Sequence, residues 1–167
     1  MIYNKLVIAV AVSLTLAACD NSGAGYGANG AGAGAGAGGS QVFDENSIGY
    51  FNQTVGDRVL FAVDQSTLSP EAISILDKQA DWLLQRPQYQ VLIEGHADEQ
   101  GTREYNLALG ARRAAAVQNY LVSRGLSDAR VKTITYGKER PVAICSDESC
   151  YSQNRRAVTV VSGGFGA

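Results

Sequence analysis

Apolar positions along the second half of the chain change their period several times, and each change marks a structural element. "RVLFAV" at 58–63 is a short β-prone run. Ser69-Pro70-Glu71 then supplies a helix N-cap, a proline suited to the first helical position and an acid for the first turn. Ala72, Leu76, Ala80 and Leu83 follow at helical spacing, flanked by Ile73, Ile75, Trp82 and Leu84, until Arg86-Pro87 stops the pattern. "QVLIEGHA" at 90–97 reads as a near-continuous apolar strand, the pattern expected when helices cover it. A second helix opens after Gly101-Thr102 and runs to about Ser123, with Gly125 placed to end it. "VKTITYG" at 131–137 and "RRAVTVVS" at 155–162 supply the last two strands. The order β-α-β-α-β-β predicts an α/β fold of the α+β two-layer kind, with the helices on one face of a mixed sheet.

The second helix separates two roles by angle. Leu107, Gly110, Ala114, Val117 and Leu121 form a buried stripe, whose small residues Gly110 and Ala114 permit close approach to the sheet. Asn106, Leu109 and Arg113 share another face, roughly 80° around the helix, which is expected to flank the core rather than enter it.

The first half of the chain has a different character. Lys5 followed by "LVIAVAVSLTLAA" has the charge and the short apolar run of a signal peptide, assigned to 1–18. Leu16-Ala17-Ala18-Cys19 resembles the bacterial lipobox, which makes Cys19 the expected lipidation site. Three acyl chains on such a cysteine would hold a protein on a membrane stably, where one would not. "DNSGAGYGANGAGAGAGAGGS" at 20–40 is too poor in apolar side chains to offset its chain entropy, so 19–56 is read as a lipidated flexible tether. A linker of roughly 36 such residues reaches about 30–36 Å. Residues 57–167 then form one compact domain.

Charge and cysteine usage narrow the possibilities. Without Lys5 the chain carries 13 basic and 16 acidic residues, a balance that gives no basic stripe and argues against nucleic acid. With Cys19 assigned to lipid, Cys145 and Cys150 remain in "CSDESC", and export to an oxidising compartment favours a disulfide between them. Two thiolates with no histidine nearby do not complete a zinc shell.

The densest chemistry lies in "LIEGHADEQGTREYNLALGARRA" at 92–114. His96 beside Asp98 and Glu99 suggests a general base or a metal ligand. No second histidine exists in the chain and there is no nucleophile elbow, so catalysis is not expected; His96 reads instead as a strand-end residue that fixes the loop by hydrogen bonding. Gly95 and Gly101 flank a loop leading into a helix N-terminus, but Asp98, Glu99 and Glu104 crowd that terminus with negative charge and disfavour phosphate. What remains is a site of separated signs, with Asp98 before the helix and Arg113 on it. Such a pair either receives an amino-acid head group or closes on itself as an internal salt bridge.

"EGHADEQGTREYNLALGARRAAAVQNYL", with "RVLFAVD" upstream and "YGKERP" and "NRRAVTV" downstream, resembles the OmpA-like peptidoglycan-binding domain over the whole predicted domain. The resemblance implies a binding protein, not an enzyme, that holds the diaminopimelate residue of the peptidoglycan stem peptide without a cofactor or metal. It implies that Asp64 and Asp98 serve the charged head of diaminopimelate and that Asn106, Leu109 and Arg113 line the pocket. Arg113 would grip the carboxylate, and Gly101 and Thr102 would offer backbone contacts. Expected partners are peptidoglycan, TolB and, in some accounts, TolA, in a protein anchored to the outer membrane and facing the periplasm. Asp20 after the lipidated cysteine resembles an inner-membrane retention signal, which leaves the destination membrane open. A scaffold for envelope proteins, with wall binding secondary, is the alternative.

Overall fold

A computed structural model describes residues 43–163. The signal peptide assigned to 1–18, Cys19 with Asp20, and the Gly/Ala-rich run at 20–40 lie outside the described residues. Four strands, β1 (Arg58–Leu60), β2 (Tyr89–His96), β3 (Val131–Gly137) and β4 (Arg156–Gly163), form one mixed sheet in the order β1-β4-β2-β3. β2 and β3 are parallel, and β4 is antiparallel to both β1 and β2. Strands β1, β2 and β3 therefore all point the same way, and their C-terminal ends share one edge of the sheet with the start of β4.

Helices α2 (Pro70–Leu84) and α3 (Arg103–Ser123) are the crossovers from β1 to β2 and from β2 to β3. Both crossovers step across the sheet in the same direction, and crossovers of one hand then place both helices on the same face. Their ends obey local chemistry. Ser69 Oγ accepts from the Ala72 N–H and Thr102 Oγ1 from the Tyr105 N–H, so each helix starts on a side-chain cap. α3 stops in a Schellman motif: Gly125 adopts φ +107, its N–H bonds Val122 O, and the Leu126 N–H bonds Leu121 O.

Leu76, Ala80, Leu83, Ile93, Val117 and Leu121 meet between the helices and the sheet as the core. The approach of α3 to β2 is limited by backbone. A Cβ added at Gly95 would lie 2.7 Å from the Gly110 carbonyl carbon, so these two glycines let helix and strand touch directly. Gly95 thus serves packing and not a phosphate cradle.

Four features differ from the sequence-based expectation. First, β2 is not covered on both faces: Val91, Ile93 and Gly95 are buried while Leu92 and Glu94 are partly exposed. Leu60, Ile134 and Val160 stand exposed on the neighbouring strands. Second, β1 ends at Leu60 because the chain turns at Ala62–Gln65, where Asp64 takes φ +55. Third, the folded domain begins well before residue 57. Ile48–Tyr50 forms a helical turn, α1, which widens into a π-helical segment at Phe51–Gly56.

Phe51 is fully buried with its ring 5.0 Å from Trp82. Trp82 Nε1 donates to Glu45 O, Tyr89 Oη donates to Asn46 O, and Gln79 Nε2 donates to Gly56 O. Residues 43–56 are thus part of the domain, and the tether boundary at 56 is corrected. Phe43, Ile48, Phe51 and Val55 carry enough apolar surface to repay ordering this segment, which the adjoining Gly/Ala run does not. A short helix, α4 (Glu148–Asn154), capped by Asp147, also lies in what was read only as a disulfide loop. If residues 43–56 stabilise the domain, Phe51→Ala should cost about 3–5 kcal/mol in urea unfolding. A cost under ~1 kcal/mol would return the segment to the tether.

Candidate functional site

The shared C-terminal edge of β1, β2 and β3 gathers the loop carrying Asp64, the loop carrying Asp98 and the N-terminus of α3. Between them lies a cavity of about 270 Å³, lined by Val63, Asp64, Asp98, Gln100, Gly101, Tyr105, Asn106 and Leu109. Asp64, Asp98, Gly101, Asn106 and Leu109 of the expected site residues are brought together here; Thr102 and Arg113 do not line the cavity. The Thr102 side chain caps α3.

Each lining group is held by its local sequence. Asp98 Oδ1 accepts from the Gln100 N–H two residues on, an Asx turn that shapes the loop. Gly101 takes φ +91, which favours glycine, and its carbonyl accepts from Lys138 Nζ at 2.9 Å. Asn106 Nδ2 donates to Asp98 O and, at 2.8 Å, to Gln100 O, which fixes the amide orientation. Its Oδ1 is left buried with no hydrogen-bond partner. Asp64, exposed at the rim, accepts from the Tyr105 hydroxyl, and that bond raises the Tyr105 pKa.

The pairing of Asp98 with Arg113, open from spacing, is settled otherwise. Asp98 Oδ2 pairs at 3.1 Å with Arg155 Nη1, both side chains being buried. Arg155 Nε also donates to Phe61 O, and the guanidinium is gripped by Glu148 from α4. Arg155 is pushed up by Glu148, against its own burial, and Glu148 is correspondingly lowered.

Arg113 is fully buried, so the face it shares with Asn106 and Leu109 enters the interior instead of flanking it. Its Nε, Nη1 and Nη2 donate to Gln65 O, His96 O and Ala62 O at 2.8, 2.8 and 3.1 Å. The guanidinium also lies over the Phe61 ring, 5.2 Å from its centroid. Burial lowers its pKa to about 10, with Asp98 opposing the shift, so it stays a cation at neutral pH. Through these three bonds Arg113 clamps both acid-bearing loops.

His96 is also corrected. It does not line the cavity, and neither ring nitrogen has a hydrogen-bond partner; its carbonyl, not its imidazole, anchors the loop through Arg113. The ring stacks on Tyr136 at 5.5 Å, and Glu94 Oε2 stands 3.6 Å from Nε2, beyond hydrogen-bond range. Cys145 and Cys150 form a disulfide with their Cα atoms 5.7 Å apart, so these sulfurs are not thiolate ligands for a metal.

Tyr105, Arg155 and Glu148 escaped the sequence reading. Tyr105 sits three residues after a cap, and nothing local announces a partner 41 residues away. For Arg155 a signal existed: two adjacent arginines opening an apolar strand have to be buried or paired somewhere.

Residues 60–155 match the OmpA family, and the chain belongs to it. Within that family it is similar to the Peptidoglycan-associated lipoprotein of Mesorhizobium japonicum, 60% identical over 113 residues, which are 68% of this chain and 67% of that protein. The protein of the same name in Rhizobium meliloti is 61% identical over 113 residues, 68% of this chain and 64% of its own. The matched stretch thus spans about two thirds of these relatives. The crystal structure of the peptidoglycan-associated lipoprotein from Burkholderia pseudomallei superposes with a TM-score of 0.66 at 37% identity, covering 71% of this chain and 100% of that one. The C-terminal domain of Helicobacter pylori MotB shares the fold at 17% identity, with a TM-score of 0.61 over 65% of this chain and 86% of that one.

Burial holds the His96 pKa at about 4, below its usual 6.5, with Arg156 and Arg140 adding to the effect. Between these values the unfolded chain binds more protons than the folded one, so stability falls as pH is lowered through this window. Urea unfolding should lose about 2–3 kcal/mol between pH 6.5 and about 4.5. His96→Gln should flatten that slope, and an unchanged slope would place the proton elsewhere.

Proposed function

We propose that the cavity binds the free amino-acid end of diaminopimelate in the peptidoglycan stem peptide, as a non-covalent wall contact and not as an enzyme. One observation carries the reading: the cavity is lined by two acids, Asp64 and Asp98, together with Asn106, whose buried Oδ1 has no hydrogen-bond partner. An ammonium group offers three N–H donors and no acceptor, and a lining with two anionic side chains and an unpartnered amide oxygen suits it. Leu109 and Val63 give the adjoining methylene chain an apolar wall, and Gly101 opens its backbone to the ligand. Arg113 contributes from behind by fixing both loops and by supplying positive charge toward a ligand carboxylate. The names of the M. japonicum and R. meliloti relatives support association with peptidoglycan.

In this reading the chain is a lipoprotein whose Cys19 anchors it to a membrane, the outer one by analogy with its family and despite Asp20, with the domain facing the periplasmic wall. TolB and TolA are its proposed protein partners in envelope constriction. Among the described residues no helix is long and apolar enough to cross a membrane.

Asp64→Asn is the cleanest test, because asparagine tolerates the positive φ of this position while removing the charge. Loss of a charge-assisted hydrogen bond should weaken co-sedimentation with diaminopimelate-containing sacculi by about 10-fold or more, without a change in Tm. Sacculi cross-linked through lysine, which lacks the second carboxylate, should pellet less protein. Equal pelleting of wild type and Asp64→Asn would move the site elsewhere.

A further inference from the structure

The reading of the cavity leaves one arrangement unexplained: Asp98, its principal acid, is already paired with a buried arginine. A simple Asp98–Arg155 pair would be neutral and would have little attraction left for a cation. Arg155, however, is shared. Its Nη1 reaches both Asp98 Oδ2 at 3.1 Å and Glu148 Oε2 at 3.2 Å, and Nη2 is held by Glu148 Oε1. The three groups together carry a net charge of −1.

Glu148 would be a poor partner by itself. Its side chain is 63% exposed, and an exposed carboxylate on a mobile loop holds an arginine weakly. Here the loop is not left to itself. Glu148 lies between Cys145 and Cys150, whose disulfide closes the turn around it. Asp147 caps α4 through the Ser149 N–H, and buried Asn154 ties the other end of α4 to the preceding loop through Val142, Ala143 and the Ala143 carbonyl. The carboxylate is presented in place before Arg155 meets it, so little side-chain and loop freedom is lost on pairing.

Building on the proposed ammonium site, we infer that Glu148 and the Cys145–Cys150 bridge form a positioning device: Glu148 shares Arg155 with Asp98 and so leaves the Asp98 carboxylate able to attract a cationic ligand. Neither Glu148 nor the cysteines touch the cavity. They act through Arg155, which also holds Phe61 O and hence the loop that carries Asp64.

Calorimetric titration of the purified protein with a soluble diaminopimelate-containing stem peptide tests this. Glu148→Gln should weaken binding by about 5-fold, the loss of one partly screened charge near the site. Glu148→Asp should recover part of the affinity. Cys145→Ser/Cys150→Ser, or wild type treated with a dithiol reductant, should weaken binding in the same sense, and Glu139→Gln, on the surface pair with Arg103, should leave it unchanged. Tm reported alongside separates positioning from unfolding: Glu148→Gln should lose affinity with its Tm nearly intact. If Asp98→Asn abolishes binding while Glu148→Gln and the cysteine variant bind as wild type, the device is refuted and the pocket stands. If Asp98→Asn itself binds as wild type, both fall.

Discussion

Two buried arginines hold the functional end of this domain. Arg113 and Arg155 together donate to the Ala62, Gln65, Phe61 and His96 carbonyls, backbone acceptors near the ends of β1 and β2. A strand end next to a loop normally satisfies such carbonyls with water. A guanidinium can do so from inside, because it offers several N–H groups in a rigid plane and is more weakly hydrated than an ammonium. The result is two loops whose geometry is set by the interior and not by solvent. Removing either cation would leave several buried acceptors unsatisfied at once, so the loops and the core are coupled.

Much of the fold was legible because it is written locally. Ser69-Pro70 and Thr102 state the helix starts in their own side chains, and Gly125 states an end through a backbone conformation that favours glycine. The Gly110 and Ala114 stripe announced close packing of α3, and the Gly95 contact completes it from the strand side. The segment at 43–56 was harder to read because its few aromatic residues adjoin a long Gly/Ala run. Its helix depends on Trp82 and Tyr89, some 40 residues away. The alternation in β2 is hidden because Leu92 is apolar on the uncovered face, where it pairs with Val160 of β4.

The site was legible in its lining and obscure in its wiring. Asp98, Asn106 and Leu109 stand out by their places on the loop and the helix, Asp64 only by motif resemblance, and the fold brings all four to one cavity. The angle of Arg113 on the helix predicts a flank, whereas its burial shows that α3 turns that face inward. The partner of Asp98 lies 57 residues onward, between α4 and β4. No spacing rule within one helix could supply it.

The strand order has a consequence for how the domain is completed. β4 is last in the chain yet sits between β1 and β2, so the sheet has a gap at its middle until the final strand arrives. A chain made from its N-terminus can form α2, α3 and the β2-β3 pair early, from contacts modest in sequence separation. Arg155 enters with β4, and with it the pairing of Asp98 and the hold on Phe61. The acid-bearing end of the molecule is therefore assembled last, and a nascent chain halted short of β4 would carry the cavity-lining residues without the cavity.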